Sequence, residues 1–203
     1  MDKNSYGGLF VVFDGPNGVG KSTLIECVEK SLIDQGVDVY TTKEPSNAPI
    51  GRFTREISET VDKASLACLV AADRYNHIDA EIKMQLMKNR VVISDRYLLS
   101  SLILQQMDDV DEEFILAVNS RILLPDLQFA VTAEEETIEA RLKERTTRTR
   151  FEQNGCVAKE LKFLSSGVKA LQKIGINVEW IDNTTQLYEN VEFVTCRILE
   201  IIK

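Results

Sequence analysis

Apolar positions along this chain fall into two alternating patterns. Short β-rich runs at Leu9–Phe13, Val37–Thr41, Arg90–Ser94, Leu127–Val131 and Asn177–Ile181 predict strands, the first of them buried on both faces. Longer stretches with apolar residues three and four apart predict helices over Lys21–Gln35, Ala64–Asn89, Tyr97–Met107, Glu112–Arg121, Glu134–Arg145, Cys156–Lys173 and Leu187–Ile202. Within the first helix Leu24, Ile25, Val28, Leu32 and Ile33 share one face, and Gly36 ends it. Strands alternating with helices imply an α/β fold, a parallel sheet covered on both sides. Two stretches break the pattern: Glu44–Gly51, rich in Pro, Asn and Gly, and Glu144–Gly155, polar and basic. Both read as loops of the kind that serve as lids or binding loops.

The chain has 203 residues, 44% of them hydrophobic, enough for one core, and no linker or repeat divides it. A single domain over 1–203 is expected. The net charge of -8 argues against a nucleic-acid partner, which usually needs a basic face. Cys27, Cys68, Cys156 and Cys196 are scattered and His77 is the sole histidine, so disulfide and zinc frameworks are not expected. With no signal peptide or apolar span long enough for a bilayer, the expectation is a cytoplasmic protein without a membrane partner.

The candidate chemistry starts at Gly15-Pro16-Asn17-Gly18-Val19-Gly20-Lys21-Ser22-Thr23, which fits G-x-x-x-x-G-K-[ST] between a strand and a helix. The turn aims backbone N–H groups at phosphate, Lys21 reaches the β and γ oxygens, and Ser22 offers a hydroxyl to Mg²⁺. The helix that follows adds its positive end. Asp95, just past the Arg90–Ser94 strand, is a second candidate for Mg²⁺, the alternative being an N-cap for the next helix. No guanine-reading N/T-K-x-D or D-x-x-G switch stands in a suitable place, which argues against a GTPase. Arg141–Arg150 gathers five basic residues against one acid. Beside a phosphate loop it reads as a lid, where one arginine can be worth about 10³–10⁵ in rate.

Taken in order, FDGPNGVGKST, Thr42–Pro45 (TKEP), Leu69–His77 (LVAADRYNH), Ser94–Gln105 (SDRYLLSSLILQ), Pro125–Leu127 (PDL), Arg141–Glu152 and Ile181-Asp182 resemble the thymidylate (dTMP) kinases over essentially the whole chain. The resemblance implies a P-loop NTPase fold of the nucleoside-monophosphate kinase type, a five-stranded parallel sheet with a short lid at about 144–155. It implies Mg²⁺-ATP as phosphate donor, dTMP as acceptor, a place in nucleotide biosynthesis, and often a homodimer. Gly15 to Thr23 would hold ATP, with Ser22 and Asp95 at the metal. Asp95 and Arg96 would act with Lys21 at the reacting phosphates, and Arg145, Arg148 and Arg150 match or extend the lid arginines. Asp14, Asn17, Val70, Arg74, Arg96, Ser101, Leu104 and Gln105 would line the acceptor. For Arg74 and Arg96 the alternative is a structural ion pair with Asp73 or Asp95.

The departures cluster at the acceptor. Val70 stands where the family usually stacks an aromatic ring on thymine, Ile103-Leu104 replaces Ala-Tyr or Ala-Phe, and Asn17 replaces a carboxylate. Three readings therefore stay open at this point. They are a plain thymidylate kinase, a paralogous kinase for a modified pyrimidine nucleotide or other phosphorylated acceptor, and a nucleotide-binding regulatory protein with reduced turnover.

Overall fold

The computed structural model describes residues 1–61, 63–146, 150–152 and 156–202. Its framework is a five-stranded parallel sheet in the order β2-β3-β1-β4-β5. The strands are β1 (Leu9–Asp14), β2 (Val39–Lys43), β3 (Val91–Asp95), β4 (Leu127–Thr132) and β5 (Val178–Asp182). The helices are α1 (Lys21–Asp34), α2 (Pro49–Ile57), α3 (Lys63–His77), α4 (Lys83–Leu86), α5 (Leu98–Met107), α6 (Glu112–Val118), α7 (Glu135–Lys143), α8 (Cys156–Lys173) and α9 (Leu187–Ile202). A π-helical turn, Ile78–Ile82, joins α3 to α4, and Arg150–Glu152 forms a short 3₁₀ turn.

β1 lies mid-sheet, and its side chains alternate between two cores, as strand geometry requires. Phe10 and Val12 join Tyr97, Leu99, Leu102, Leu164 and Leu171, the α5 and α8 side. Val11 and Phe13 join Leu24, Val28, Val194 and Ile198, the α1 and α9 side. Every β1 residue is buried, which explains its unbroken apolar run.

Several boundaries differ from the sequence expectation, the stretch expected as one helix over Ala64–Asn89 being α3, the π-helical turn and α4 among them, and two of the differences have a clear local cause. The second strand starts at Val39, not Val37, because the end of α1 keeps Val37: its N–H bonds Leu32 O at 3.1 Å after the Gly36 turn. The loop expected over Glu44–Gly51 gives way to α2 at Pro49, the first helical position, where a missing N–H costs nothing. The stretch expected as a lid, about 144–155, is only partly among the described residues.

Candidate active site

The chain leaves β1 at Asp14 and wraps through the glycine-rich turn into α1. Gly18 and Gly20 have φ of 76° and 92°, a region where a Cβ would be strained. Lys21 is almost fully buried, and its Nζ folds back to donate to Gly15 O at 2.9 Å and Pro16 O at 2.8 Å. Burial, and then the neighbouring Arg96 guanidinium, pull its pKa down to about 7, against the opposing pull of Asp95, Asp14 and Glu160.

From β3, Asp95 Oδ2 accepts a 2.8 Å bond from Ser22 Oγ. Its Oδ1 is buried and finds no partner among the described residues. A hydroxyl and a carboxylate with a spare oxygen are the hard donors that Mg²⁺ takes beside substrate phosphates, so these two residues fit that ion. The N-cap alternative for Asp95 does not hold, because Asp14 serves the start of α5 instead. Asp14 Oδ1 accepts from Tyr97 N at 2.8 Å, from Ser100 N at 3.0 Å and from Ser100 Oγ, while Oδ2 accepts from Gln128 Nε2 at 3.2 Å. Asp14 is therefore turned wholly inward, away from the acceptor contact expected of it; burial raises its pKa, and the bonds from Ser100 and Tyr97 oppose the rise.

Arg96 occupies a left-handed backbone conformation, φ 81°, with its N–H on Phe13 O at 2.9 Å. Its guanidinium donates to Asn17 Oδ1 at 2.8 Å and Ser100 Oγ at 3.3 Å. Asn17 is held in turn by Glu160 of α8, which accepts from its N–H at 2.8 Å and from Nδ2 at 3.3 and 3.4 Å. Burial raises the Glu160 pKa, the Asn17 bonds opposing it.

On the Asn17 side of the turn, a cavity of about 190 Å³ brings together Asn17, Val70, Arg74, Arg96, Ser101, Leu104 and Gln105, each placed at the acceptor by the sequence reading. Thr54, Arg55 and Ser58 of the α2 region and Phe151 also line it. Arg74 is wholly buried at its floor. It donates to Glu44 Oε2 at 2.8 Å, Asn119 Oδ1 at 2.6 Å, Tyr97 O at 3.0 Å and Ser101 Oγ at 2.9 Å. Its ion pair is thus with Glu44 rather than Asp73 or Asp95; Asp73 accepts from Ser46 N and Oγ, both at 2.6 Å. His77 stands behind, between Glu44 and Thr42 Oγ1.

On the Gly18 side lies a second cavity of about 420 Å³, lined by Gly18, Gly20, Thr23, Arg141, Arg145, Asn183, Thr184, Thr185 and Leu187. Two cavities thus meet across one phosphate loop. The thymidylate kinase family model matches residues 13–192. The chain belongs to the thymidylate kinase family.

Its relatives agree. A probable thymidylate kinase of Caldivirga maquilingensis is 40% identical over 150 residues, 72% of this chain and 73% of its own. One of Methanocaldococcus jannaschii is 41% identical over 138 residues, 66% of this chain and 70% of its own. The thymidylate kinase of Finegoldia magna is 30% identical over 206 residues, 96% of this chain and 98% of its own.

Within this thymidylate kinase framework the arginines expected of a lid separate. Arg145 lines the larger cavity beside the phosphate loop and pairs with Glu152. Arg150, expected with it at the phosphates, is placed elsewhere. Its guanidinium is spent on Asp108 and Ser58 O, at the mouth of the smaller cavity. Arg148 lies outside the described residues.

Sequence reasoning missed Arg141, which donates to Val19 O at 3.1 Å, Asn183 O at 3.0 Å and Thr184 O at 3.1 Å and so braces the larger cavity. It also missed Glu160. The signal was there: an acid falls on the buried stripe Val157, Leu164, Val168 and Leu171 of α8. No described helix is long and apolar enough to cross a membrane.

Proposed function

We propose that the chain transfers the γ-phosphate of ATP to dTMP, giving dTDP, with Mg²⁺ held by Ser22 and Asp95. Family membership supports the reaction class. The observation that carries the acceptor is Gln105 Oε1, a buried acceptor atom in the smaller cavity without a partner among the described residues. Thymine offers a ring N–H donor that would complete it. Of four such buried atoms among the described residues, Asp95 Oδ1, Thr54 Oγ1 and Gln105 Oε1 belong to the site, and only Thr195 Oγ1 lies elsewhere, on α9. A buried polar atom left unbonded is costly, so their clustering fits groups that ligands complete.

In this reading the acceptor phosphate is already a nucleophile and needs alignment and charge screening. Arg96, fixed by Asn17 and Ser100, holds that phosphate on the Asn17 side. The turn and Lys21 hold the ATP phosphates, Lys21 exchanging its two carbonyl partners for phosphate oxygens. Arg145 is the described lid arginine on the donor side and supplies charge to the transferring group. Held by Ser22 and Asp95, Mg²⁺ would supply charge neutralisation to the donor phosphates. A cytoplasmic homodimer completes the proposal.

The test is coupled ADP release with dTMP, dUMP, dCMP and dGMP under saturating Mg²⁺-ATP. dTMP should give the highest kcat/KM. A clear preference for another monophosphate, or ATP binding with no turnover on any of them, would replace this reading.

A further inference from the structure

The smaller cavity has aliphatic side chains, Val70 and Leu104, where the family resemblance calls for rings. The rings that do line it are Tyr97 and Phe151. Tyr97 is fully buried and already engaged: Phe10 meets it edge-on at 5.2 Å, Arg74 lies 5.2 Å from its centroid, and its hydroxyl donates to Leu123 O at 2.8 Å. Phe151 is only half-buried. The Arg150 guanidinium lies 4.2 Å from its ring centroid, and Phe151 also lines the cavity.

Arg150 itself is firmly held. Nη1 and Nη2 donate to the two oxygens of Asp108 at 2.7 and 2.5 Å, Nε donates to Ser58 O at 2.9 Å, and its backbone N–H donates to Glu59 Oε2 at 3.1 Å. Asp108 and Ser58 are the C-terminal caps of α5 and α2, the helices on either side of the cavity mouth. A forked cation suits both the carboxylate and two negative helix ends. Two residues further on, Glu152 pairs with Arg145 of the donor cavity.

We infer that Phe151 is the aromatic wall for the acceptor base in this chain, and that Arg150 is a strap positioning it across α2 and α5. The ring that Val70 does not provide comes from the 3₁₀ turn Arg150–Glu152, so the base helps to seat the turn that also carries Glu152, the partner of Arg145. The inference rests on the proposed dTMP reaction, and its class of ligand is a monophosphate with a flat aromatic base.

The test compares wild type, Phe151→Leu, Asp108→Asn and Phe151→Leu/Val70→Phe in steady-state assays, with 2-deoxyribose 5-phosphate as a base-less competitor. Phe151→Leu should raise KM for dTMP about ten-fold, as loss of a base–aromatic contact does, with KM for ATP within about two-fold, a spread small against that contact. The inhibition constant of the base-less competitor should not move. Asp108→Asn should raise KM for dTMP in the same direction, and Val70→Phe should recover most of the loss in the double variant. An unchanged KM for dTMP in Phe151→Leu, or equal losses for dTMP and the base-less competitor, would overturn the inference. Wild-type enzyme that does not turn over dTMP would instead overturn the proposed function.

Discussion

Glu160 and Asn17 share a buried contact in which one carboxylate accepts both the backbone N–H, at 2.8 Å, and the side-chain amide of the phosphate loop's third residue. The amide N–H₂ thereby faces α8, and Oδ1 faces Arg96. A carboxylate, usual in the family at position 17, would here oppose Glu160. Asn17→Asp should therefore lower kcat/KM for dTMP by about ten- to a hundred-fold, since two adjacent buried carboxylates cannot both ionise freely. Asn17→Asp/Glu160→Gln should recover to within about three-fold, because an amide at 160 can turn its N–H₂ to the introduced carboxylate. Losses that simply add would show that the two side chains do not act as a unit.

Lys21 gives a proton-linked signature. With a pKa of about 7 in the free protein, it is mostly neutral well above neutrality and charged once phosphates surround it. Binding of ATP one pH unit above that value should take up close to one proton, read by calorimetry in buffers of different ionisation enthalpy. Affinity should fall toward about ten-fold per pH unit above the lysine's pKa. Lys21→Met should remove both effects. The sign for the unliganded protein follows from the same shift. Between a pH of about 7 and the ordinary lysine range the unfolded chain holds a proton the folded one has released, so this group's contribution to stability rises with pH there.

Arg74 should behave as a structural residue as much as a substrate contact. Removing it leaves Glu44 buried with one weak ion-pair partner among the described residues, His77 at 3.4 Å. Arg74→Ala should cost about 3–5 kcal/mol, a fall in Tm of roughly 10 °C for a chain of this size. Glu44→Gln in the same background should return part of it. A Tm unchanged by Arg74→Ala would show that the pair carries no net stability.

Sequence pattern was sufficient for the sheet and for naming most of the residues that the candidate site brings together. β1, β3 and β4 are buried on both faces, so their apolar runs stand out; β2 lies half-exposed at the sheet edge and its start shifted by two residues. The phosphate loop, Asp95 and Arg96 could be brought together from sequence because each lies at or just past the end of a strand, β1 or β3. Asp14 and Arg150 were misplaced because their partners, Ser100 and Asp108, come from α5 and its C-terminal cap and are set by tertiary packing alone. Glu160 sits 143 residues from Asn17, a pairing no local pattern encodes.

Arg96 should be indispensable to transfer and dispensable to folding. Arg96→Ala should lower kcat/KM for dTMP by about 10³, in line with loss of one well-placed phosphate-stabilising group. Its Tm should stay within a few degrees, because among the described residues the guanidinium bonds only Asn17 and Ser100. Arg96→Lys should not rescue, since one ammonium cannot span both partners and a phosphate. A kcat/KM within about ten-fold of wild type in Arg96→Ala, far short of what such a group contributes, would refute the assignment.

The backbone beneath Arg96 has a consequence of its own. At φ 81° any residue with a Cβ is held uphill by about 1–3 kcal/mol, and glycine is not. Arg96→Gly should thus give a protein of equal or higher melting temperature that no longer transfers phosphate. Laboratory selection for heat resistance alone would favour that inert form at this position, so any hardening of the enzyme has to be screened by turnover as well as by survival.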